Sequence, residues 1–284
     1  MTKQQGTVRA WVNGRTVGPD TPVLTALDHG VTVGDGVFET LKVVDGHPFA
    51  TTRHARRVDR SAAGLGLGPV DHDVIADGVA AVLGQGPALG FGRLRYTVTG
   101  GQGPLGSDRF DSPLTYIVTA GPQSRPPASG KVTVVPWSRN ERSATAGLKT
   151  TSYADNVVAL ARARQVGAVE ALFGNTRGEL CEATGSNVFV VLNGELFTPP
   201  TGSGPLAGIT RELVIEWCSS EGLPVREEAL PMSVLDEADE VFLTSSTRDV
   251  LPVHAVDDRT LEPGPLTATV AAIFASCSAA TRDP

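Results

Sequence analysis

Hydrophobic and polar residues alternate along the first third of the chain in a pattern typical of paired β-strands. Val8–Val17 has an Asn-Gly pair at its centre and Gly36–Phe49 has an Asp-Gly pair, so each segment predicts a hairpin. Helical patterns follow over His54–Leu65 and Val74–Leu83, and alternation returns over Gly92–Thr99. The pattern therefore predicts hairpins and single helices within one small domain.

A segment rich in proline and glycine follows this part of the chain. Residues 121–130 contain three prolines and two glycines, a composition typical of linkers. Beyond it, helical patterns over Tyr153–Val166 and Ile209–Ser220 alternate with strand patterns such as Asn187–Leu192. We expect an α+β or α/β protein with a small amino-terminal domain at 1–120, a linker at 121–130 and a larger domain at 131–284.

Composition and charge exclude several classes of protein. Hydrophobic residues make up 40% of the chain and charged residues 19%, which is ordinary for a globular protein. The net charge of −7 disfavours binding to nucleic acid or to an anionic membrane. The three cysteines form no CxxC pair, which disfavours a metal site or a disulfide scaffold and favours a reducing compartment. The polar segment Met1–Arg9 and the lack of an apolar run near ~20 residues predict a cytoplasmic protein.

The stretch from Leu148 to Phe189 contains a lysine and a carboxylate that suit one cofactor. Lys149 has only small, hydroxyl or apolar neighbours, and partial desolvation of its amine favours imine formation. Glu182 precedes the small polar run Ala183–Asn187, which lets backbone approach a bound ring. The alternatives are a solvated surface lysine and an exposed carboxylate at a strand end.

Three further features suit a phosphate group. Gly208 precedes the predicted helix start at Ile209 and Thr210, where free N–H groups favour an anion. Ser246 belongs to a cluster of hydroxyl residues, and Arg57 lies in a strongly basic helix. An ordinary helix cap, a polar turn and a surface arginine are the alternatives. Together with Lys149 and Glu182, these parts predict a site for pyridoxal 5′-phosphate (PLP).

At this point the chain resembles the class IV aminotransferase family, the fold-type IV PLP enzymes. Six motifs occur in the family's order: Asp28–Thr40, His54–Val58, Gly147–Lys149, Glu182–Phe189, Leu206–Arg211 and Ala238–Thr247. The resemblance implies a two-domain fold like that of the branched-chain and D-amino-acid aminotransferases, with the cofactor between the domains. It implies that the domain at 131–284 carries Lys149 and most cofactor contacts, and that the protein is a homodimer.

The resemblance also assigns roles to individual residues. Lys149 matches the Schiff-base lysine that shuttles the proton, and Glu182 matches the partner of the ring nitrogen. The remaining cofactor contacts implied by the family are Leu206 on the ring, Tyr153 near a cofactor oxygen, and Arg57, Ile209, Thr210 and Ser246 at the phosphate.

The overall pattern most resembles the 4-amino-4-deoxychorismate lyases, which eliminate pyruvate to give 4-aminobenzoate for folate synthesis. An aminotransferase for branched-chain or other amino donors and a non-catalytic scaffold of the same fold stay open. D-amino-acid transaminases have a substrate-binding arginine where this chain has Gly100, whereas Glu39 fits aminotransferases better than lyases. The substrate is expected to be a small molecule with amino and carboxylate groups. Candidate contacts are Glu39, Arg95, Arg109 and Arg139, with a surface position as the alternative for each arginine.

Overall fold

A computed structural model describes residues 8–284 as two compact units; the amino-terminal expectation for Met1–Arg9 falls mostly outside these residues. The first unit extends to Arg125 and includes Leu148–Tyr153 and Arg282–Pro284. Pro126–Gly147 and Ala154–Thr281 form the second unit. Lys149 thus groups with the first unit and not with residues 131–284, because Thr150 forms an antiparallel bridge to Val37.

The first unit is built on an antiparallel sheet. Its strands are β1 (Arg9–Val12), β2 (Arg15–Val17), β3 (Gly36–Val44), β4 (His47–Pro48), β5 (Phe91–Thr99) and β6 (Thr115–Pro122), and its helices are α1 (His29–Thr32), α2 (Thr51–Leu65) and α3 (His72–Leu83). The strand order is β2-β1-β6-β5-β3-β4. Both predicted hairpins are confirmed: the turn residues Asn13, Gly14, Asp45 and Gly46 all have positive φ, as a tight hairpin turn requires.

The two faces of β3 point to different surroundings in the first unit. Val37 and Leu41 belong to the hydrophobic core, which also contains residues of α2 and α3. Successive side chains of a strand point to opposite faces, so Glu39 shares the helix side and Phe38 faces away from it. Arg95 pairs with Thr40 in the register of β3 and β5, which puts it on the same face as Phe38.

The second unit contains a mixed sheet with the strand order β12-β11-β10-β13-β14-β7-β8-β9, in which β15 pairs with β14. The strands are β7 (Gly130–Arg139), β8 (Glu170–Asn175), β9 (Leu180–Ala183), β10 (Asn187–Leu192), β11 (Glu195–Thr198), β12 (Val225–Glu227), β13 (Glu240–Ser245), β14 (Asp249–Val256) and β15 (Arg259–Thr260). The helices are α4 (Ala154–Gln165), a 3-10 turn (Thr201–Ser203), α5 (Ile209–Ser220), α6 (Val234–Glu237) and α7 (Pro265–Ala280). The predicted bounds of β10 and α5 are confirmed.

The helices and the metal-ligating side chains of residues 8–284 bear on two other kinds of function. None of the helices there is both long enough and apolar enough to span a bilayer. Across the same residues, no group of three His, Cys, Asp or Glu side chains is arranged to hold a metal ion.

Candidate active site

The backbone of Lys149 is fixed between β3 and α2 in the first unit. Its N–H donates a hydrogen bond to Ser61 Oγ (3.1 Å). Its C=O accepts a hydrogen bond from the N–H of Phe38 (3.0 Å). Because both polar groups of its backbone are bonded, the lysine side chain starts from a defined position.

The Lys149 side chain lies against aromatic rings. Its Nζ is 4.4 Å from the ring centroid of Phe38 and 5.9 Å from that of Tyr153, and the two rings pack edge to face at 5.2 Å. The guanidinium carbon of Arg95 is 3.8 Å from the Phe38 centroid. Burial lowers the pKa of Arg95, and Tyr153 offsets part of this shift. An amine and a guanidinium therefore contact one aromatic ring, on the sheet face opposite α2 and α3.

Glu39 lies on the opposite face and bonds to two residues of α2. Arg57 donates from Nε to Oε1 (2.7 Å) and from Nη2 to Oε2 (2.6 Å), and His54 Nδ1 is 2.6 Å from Oε2. Burial alone raises the pKa of Glu39, but the charges and hydrogen bonds of Arg57 and His54 hold that pKa well below its usual range. Burial also lowers the pKa of His54. Because Glu39 is fully buried with both oxygens bonded, the geometry does not support its predicted substrate contact.

Arg109, in the irregular segment between β5 and β6, bonds to Asp35 and to the carboxy-terminal end of α2. It donates two hydrogen bonds to Asp35 (2.7 and 2.5 Å) and one each to the C=O groups of Gly66 (2.7 Å) and Leu65 (2.8 Å). The hydrogen bond to Asp35 raises the pKa of Arg109. With its donors directed to these acceptors, Arg109 is a structural clamp, and its predicted substrate contact is not supported.

Glu182 is held in the second unit by one backbone N–H and by an ion pair. Its Oε2 accepts a hydrogen bond from the N–H of Leu206 (3.0 Å), and its Oε1 is 3.3 Å from Arg139 Nε. Arg139 also donates to Asn156 Oδ1 (2.7 Å) and lies 4.4 Å from the Phe173 ring. Arg139 therefore orients the carboxylate of Glu182, which differs from the substrate contact that the sequence predicts for it.

The start of α5 adjoins the same loop. Its N-cap is Gly208, which has no side chain that could bond to the first amides. Asn187 donates from Nδ2 to the C=O of Leu206 (2.8 Å). Ile209 and Thr210, the first two residues of α5, are both buried. The amide groups at the start of this twelve-residue helix receive no cap from Gly208, and amides at a helix start favour an anionic group.

A buried hydroxyl lies beside this loop. Thr244 in β13 pairs directly with Asn187 in β10, so both side chains point to one face of the sheet. The Thr244 Oγ1 atom is buried and has no hydrogen-bond partner within residues 8–284. Ser246 follows two residues later, where β13 turns into β14, and is half-buried. A bare buried hydroxyl is costly unless a further group bonds to it.

A network that the sequence patterns did not predict joins two loops of the second unit. Glu170 accepts hydrogen bonds from the Thr184 hydroxyl, the Gly185 N–H (2.9 Å) and Ser186 Oγ (3.3 Å). It also forms an ion pair with Arg248. Glu170 thus links the loop after Glu182 to the turn after Ser246. The small polar run 183–187 was the only sequence signal of this network.

Cys181 precedes Glu182 in β9 and points to the other side of that strand. Its side chain is fully buried, and burial raises the pKa of its thiol well above the usual range. A β-carbon at Gly204 would lie 3.6 Å from the Cys181 Sγ atom. This thiol is therefore part of the packing beneath the carboxylate.

The family model described as amino-transferase class IV matches residues 36–256. The chain belongs to this family. The chain is 33% identical to a Methanocaldococcus jannaschii protein named as a candidate branched-chain-amino-acid aminotransferase, over 89% of this chain and 90% of that protein. It is 28% identical to the aminodeoxychorismate lyase of Bacillus subtilis, over 87% and 86%. An aminotransferase from Brucella abortus, solved bound to PLP, matches at a TM-score of 0.87 and 26% identity, over 96% and 99%.

Class IV aminotransferases use PLP and act on amino-acid-like substrates, and the predicted fold class and cofactor are confirmed. Two features of the second unit fit the phosphate of PLP: the uncapped start of α5 and the bare hydroxyl of Thr244. The held carboxylate of Glu182 fits its ring nitrogen. In the first unit, Lys149 supplies a half-buried amine.

Proposed function

We propose that this class IV enzyme is a 4-amino-4-deoxychorismate lyase that eliminates pyruvate and forms 4-aminobenzoate. The carrying observation is that Lys149 Nζ and the Arg95 guanidinium lie against the same ring, that of Phe38. A flat aromatic wall suits a cyclic substrate that becomes aromatic. The guanidinium of Arg95 complements a substrate carboxylate through paired hydrogen bonds. The resemblance of Thr32–Thr40 and Lys149–Val157 to lyases supports the same conclusion.

The proposed cofactor contacts are the residues that the family resemblance assigns. The amides of Ile209 and Thr210 bind the phosphate at the start of α5, and Arg57 adds a charge that Glu39 holds in position. The other proposed contacts are Ser246 at the phosphate, Glu182 at the ring nitrogen, Leu206 against the ring and Tyr153 beside it.

Lys149 carries the proton in the proposed reaction. PLP, when bound, supplies an electron-withdrawing ring that stabilises negative charge on the carbon bearing the substrate's amino group. Lys149 Nζ removes the proton from that carbon; the C–O bond to the enolpyruvyl group then breaks, and Lys149 as a general acid gives the proton to the departing group, which leaves as pyruvate while the ring becomes aromatic. The backbone bonds of Lys149 to Ser61 and Phe38 restrict where its amine can reach. Arg139 and the Leu206 N–H keep the Glu182 carboxylate oriented throughout.

Gly100 disfavours a D-amino-acid transaminase. A β-carbon at this position would lie 2.5 Å from Asp35 Oδ2, and Asp35 is already bonded to Arg109. A substrate-binding arginine at position 100 would therefore displace the Asp35–Arg109 clamp. The lyase and an aminotransferase for other amino donors are therefore the two candidates.

An aminotransferase for branched-chain or other amino donors is the second candidate. The name of the Methanocaldococcus jannaschii relative favours it, as does Glu39, which matches aminotransferase patterns. Incubation of the PLP-loaded protein with 4-amino-4-deoxychorismate distinguishes the two. We expect 4-aminobenzoate and pyruvate in equal amounts. Transfer of an amino group from an amino acid to a keto acid, with neither product formed, would establish the aminotransferase and contradict the lyase.

We also propose that the enzyme is a homodimer. Apolar side chains are exposed in one short segment of the first unit: Val23, Leu24, Leu27, Val31 and Val33. Grouped exposed apolar residues mark interaction surfaces more often than scattered ones do. Light scattering during gel filtration should give twice the mass of the chain, and replacement of Val31 by Asp should lower that mass. A monomer at micromolar concentration would contradict the proposal.

A further inference from the structure

Helix α2 begins without a side-chain cap from its own end. Its N-cap, Ala50, has a left-handed backbone (φ 58°) and provides no side-chain acceptor for the first amides. Uncapped amides at a helix start weaken the first turn. The same helix contains His54, Arg57 and Ser61, which bond to Glu39 and Lys149. The stability of the first turn of α2 therefore bears on the candidate site.

The segment Arg282–Pro284 supplies the missing acceptors from a distance of more than two hundred residues along the chain. Asp283 Oδ1 accepts a hydrogen bond from the N–H of Thr52 (2.9 Å), and Oδ2 accepts one from its hydroxyl (2.6 Å). The C=O of Arg282 accepts from the N–H of Ala50 (2.8 Å). A carboxylate that bonds to the second amide of a helix provides the capping hydrogen bond that Ala50 lacks, and its charge also favours this end of the helix dipole.

We propose that Asp283 is a positioning residue for Arg57, acting through the first turn of α2; the inference rests on the proposed role of Arg57 at the cofactor phosphate. The cap orders the turn that ends at His54, whose N–H bonds to the C=O of Ala50. His54 and Arg57 both bond to Glu39, so a frayed first turn loosens one side of this buried cluster. Arg57 then samples more orientations, and the phosphate binds less tightly.

The ionisation of Asp283 agrees with this geometry. Burial alone raises the pKa of Asp283, but the hydrogen bonds from Thr52 and the charge of Arg56 lower it overall. The carboxylate is therefore charged at neutral pH.

The chain offers a matched control for a purely structural effect. Asp71 is the N-cap of α3 in the same unit, with its Oδ1 accepting from the N–H groups of Asp73 (3.0 Å) and Val74 (3.2 Å). None of the proposed site residues lies in α3. Asp71→Ala and Asp283→Ala both remove an aspartate cap, and only the second cap belongs to the helix with Arg57.

The test measures the dissociation constant of PLP from the full-length protein, together with hydrogen exchange of the amides of residues 51–57 and the melting temperature. Since a lost cap weakens a helix start, we expect Asp283→Ala to weaken PLP binding about fivefold to tenfold and to speed exchange of these amides. Asp283→Asn should restore most of both values, because asparagine keeps the oxygen that accepts from the N–H of Thr52 and lacks only the second acceptor and the charge. Asp71→Ala should lower the melting temperature and leave PLP binding unchanged.

Two results would overturn the inference. One is unchanged PLP binding in Asp283→Ala, and the other is an equal loss of binding in Asp71→Ala and Asp283→Ala. Failure of the proposed role of Arg57 has a separate readout: Arg57→Ala would then leave PLP binding unchanged, whatever the two cap variants do.

Discussion

Asn187 Oδ1 occupies the space that a β-carbon at Gly208 would need, since the two positions are 1.9 Å apart. No side chain fits at the N-cap of α5 while Asn187 keeps its hydrogen bond to the C=O of Leu206. The glycine therefore allows an asparagine to fix the loop that connects the Glu182 carboxylate with the helix start.

Gly208→Ala should weaken cofactor binding and lower stability. The new methyl group forces Asn187 to rotate, and loss of its buried hydrogen bond costs about 1–3 kcal/mol. Urea unfolding measures the stability, and titration of the apoprotein with PLP measures binding. Gly202→Ala is the matched control, because a β-carbon there meets no atom within 4 Å. Equal effects of the two substitutions would contradict the argument.

Lys149→Ala should reduce turnover by a factor of about 100 to 10,000, since positioned general acid–base groups typically contribute this much. Borohydride reduction of the wild-type holoenzyme should add the mass of reduced PLP to the peptide that contains residue 149, and the variant should lack this mass. Lys131→Ala serves as the control. Normal turnover in Lys149→Ala would refute the lysine's role.

Arg57→Ala should weaken PLP binding by a factor of about ten to one hundred, because a charge-assisted contact contributes about 1.5–3 kcal/mol. The experiment is equilibrium dialysis of the apoprotein against PLP. Arg60→Ala, an exposed arginine of the same helix, should bind PLP as the wild type does. Equal affinities of the Arg57 and Arg60 variants would remove the phosphate assignment.

Glu39→Gln should destabilise the protein most at neutral pH. Removing one partner of a buried ion pair costs about 3–5 kcal/mol, because the charge of Arg57 stays buried. The pKa of Glu39 is lowered in the folded protein, so its stabilising effect is complete above the ordinary value of 4.5 and is lost as pH falls below it.

Urea unfolding at about pH 7 and about pH 4 tests the prediction for Glu39. The difference in unfolding free energy between the wild type and Glu39→Gln should shrink at the lower pH. Glu195→Gln, an exposed control, should change stability by no more than about 0.5 kcal/mol. If the difference in unfolding free energy between the wild type and Glu39→Gln grows at the lower pH, the predicted direction of its pH dependence is wrong.

Local sequence patterns predicted the elements whose ends are marked by characteristic turn or capping residues. The Asn-Gly and Asp-Gly pairs specify their turns because both residues adopt positive φ, and Gly208 and Gly66 mark helix ends. Helix α7 and strand β14 were missed. The apolar residues of α7 are not confined to one face, and Pro252 interrupts the strand pattern of β14.

The sequence did not predict which residues bond to one another within the site. Glu39, Arg109 and Arg139 were all expected at the substrate, but each bonds to a charged group that is distant in the sequence. Alternation along β3 puts Glu39 on the helix face, yet only the fold shows that α2 carries its partners. Arg95 differs because the register of β3 and β5 puts it beside Phe38.

The buried thiol of Cys181 can report the opening of β9, the strand that also contains Glu182. A thiol with a raised pKa and no access to solvent reacts only when the strand opens. The rate at which a thiol reagent labels Cys181, followed by mass spectrometry of its peptide, therefore measures how often β9 opens. Saturation with PLP should slow that rate if the cofactor binds only the closed strand.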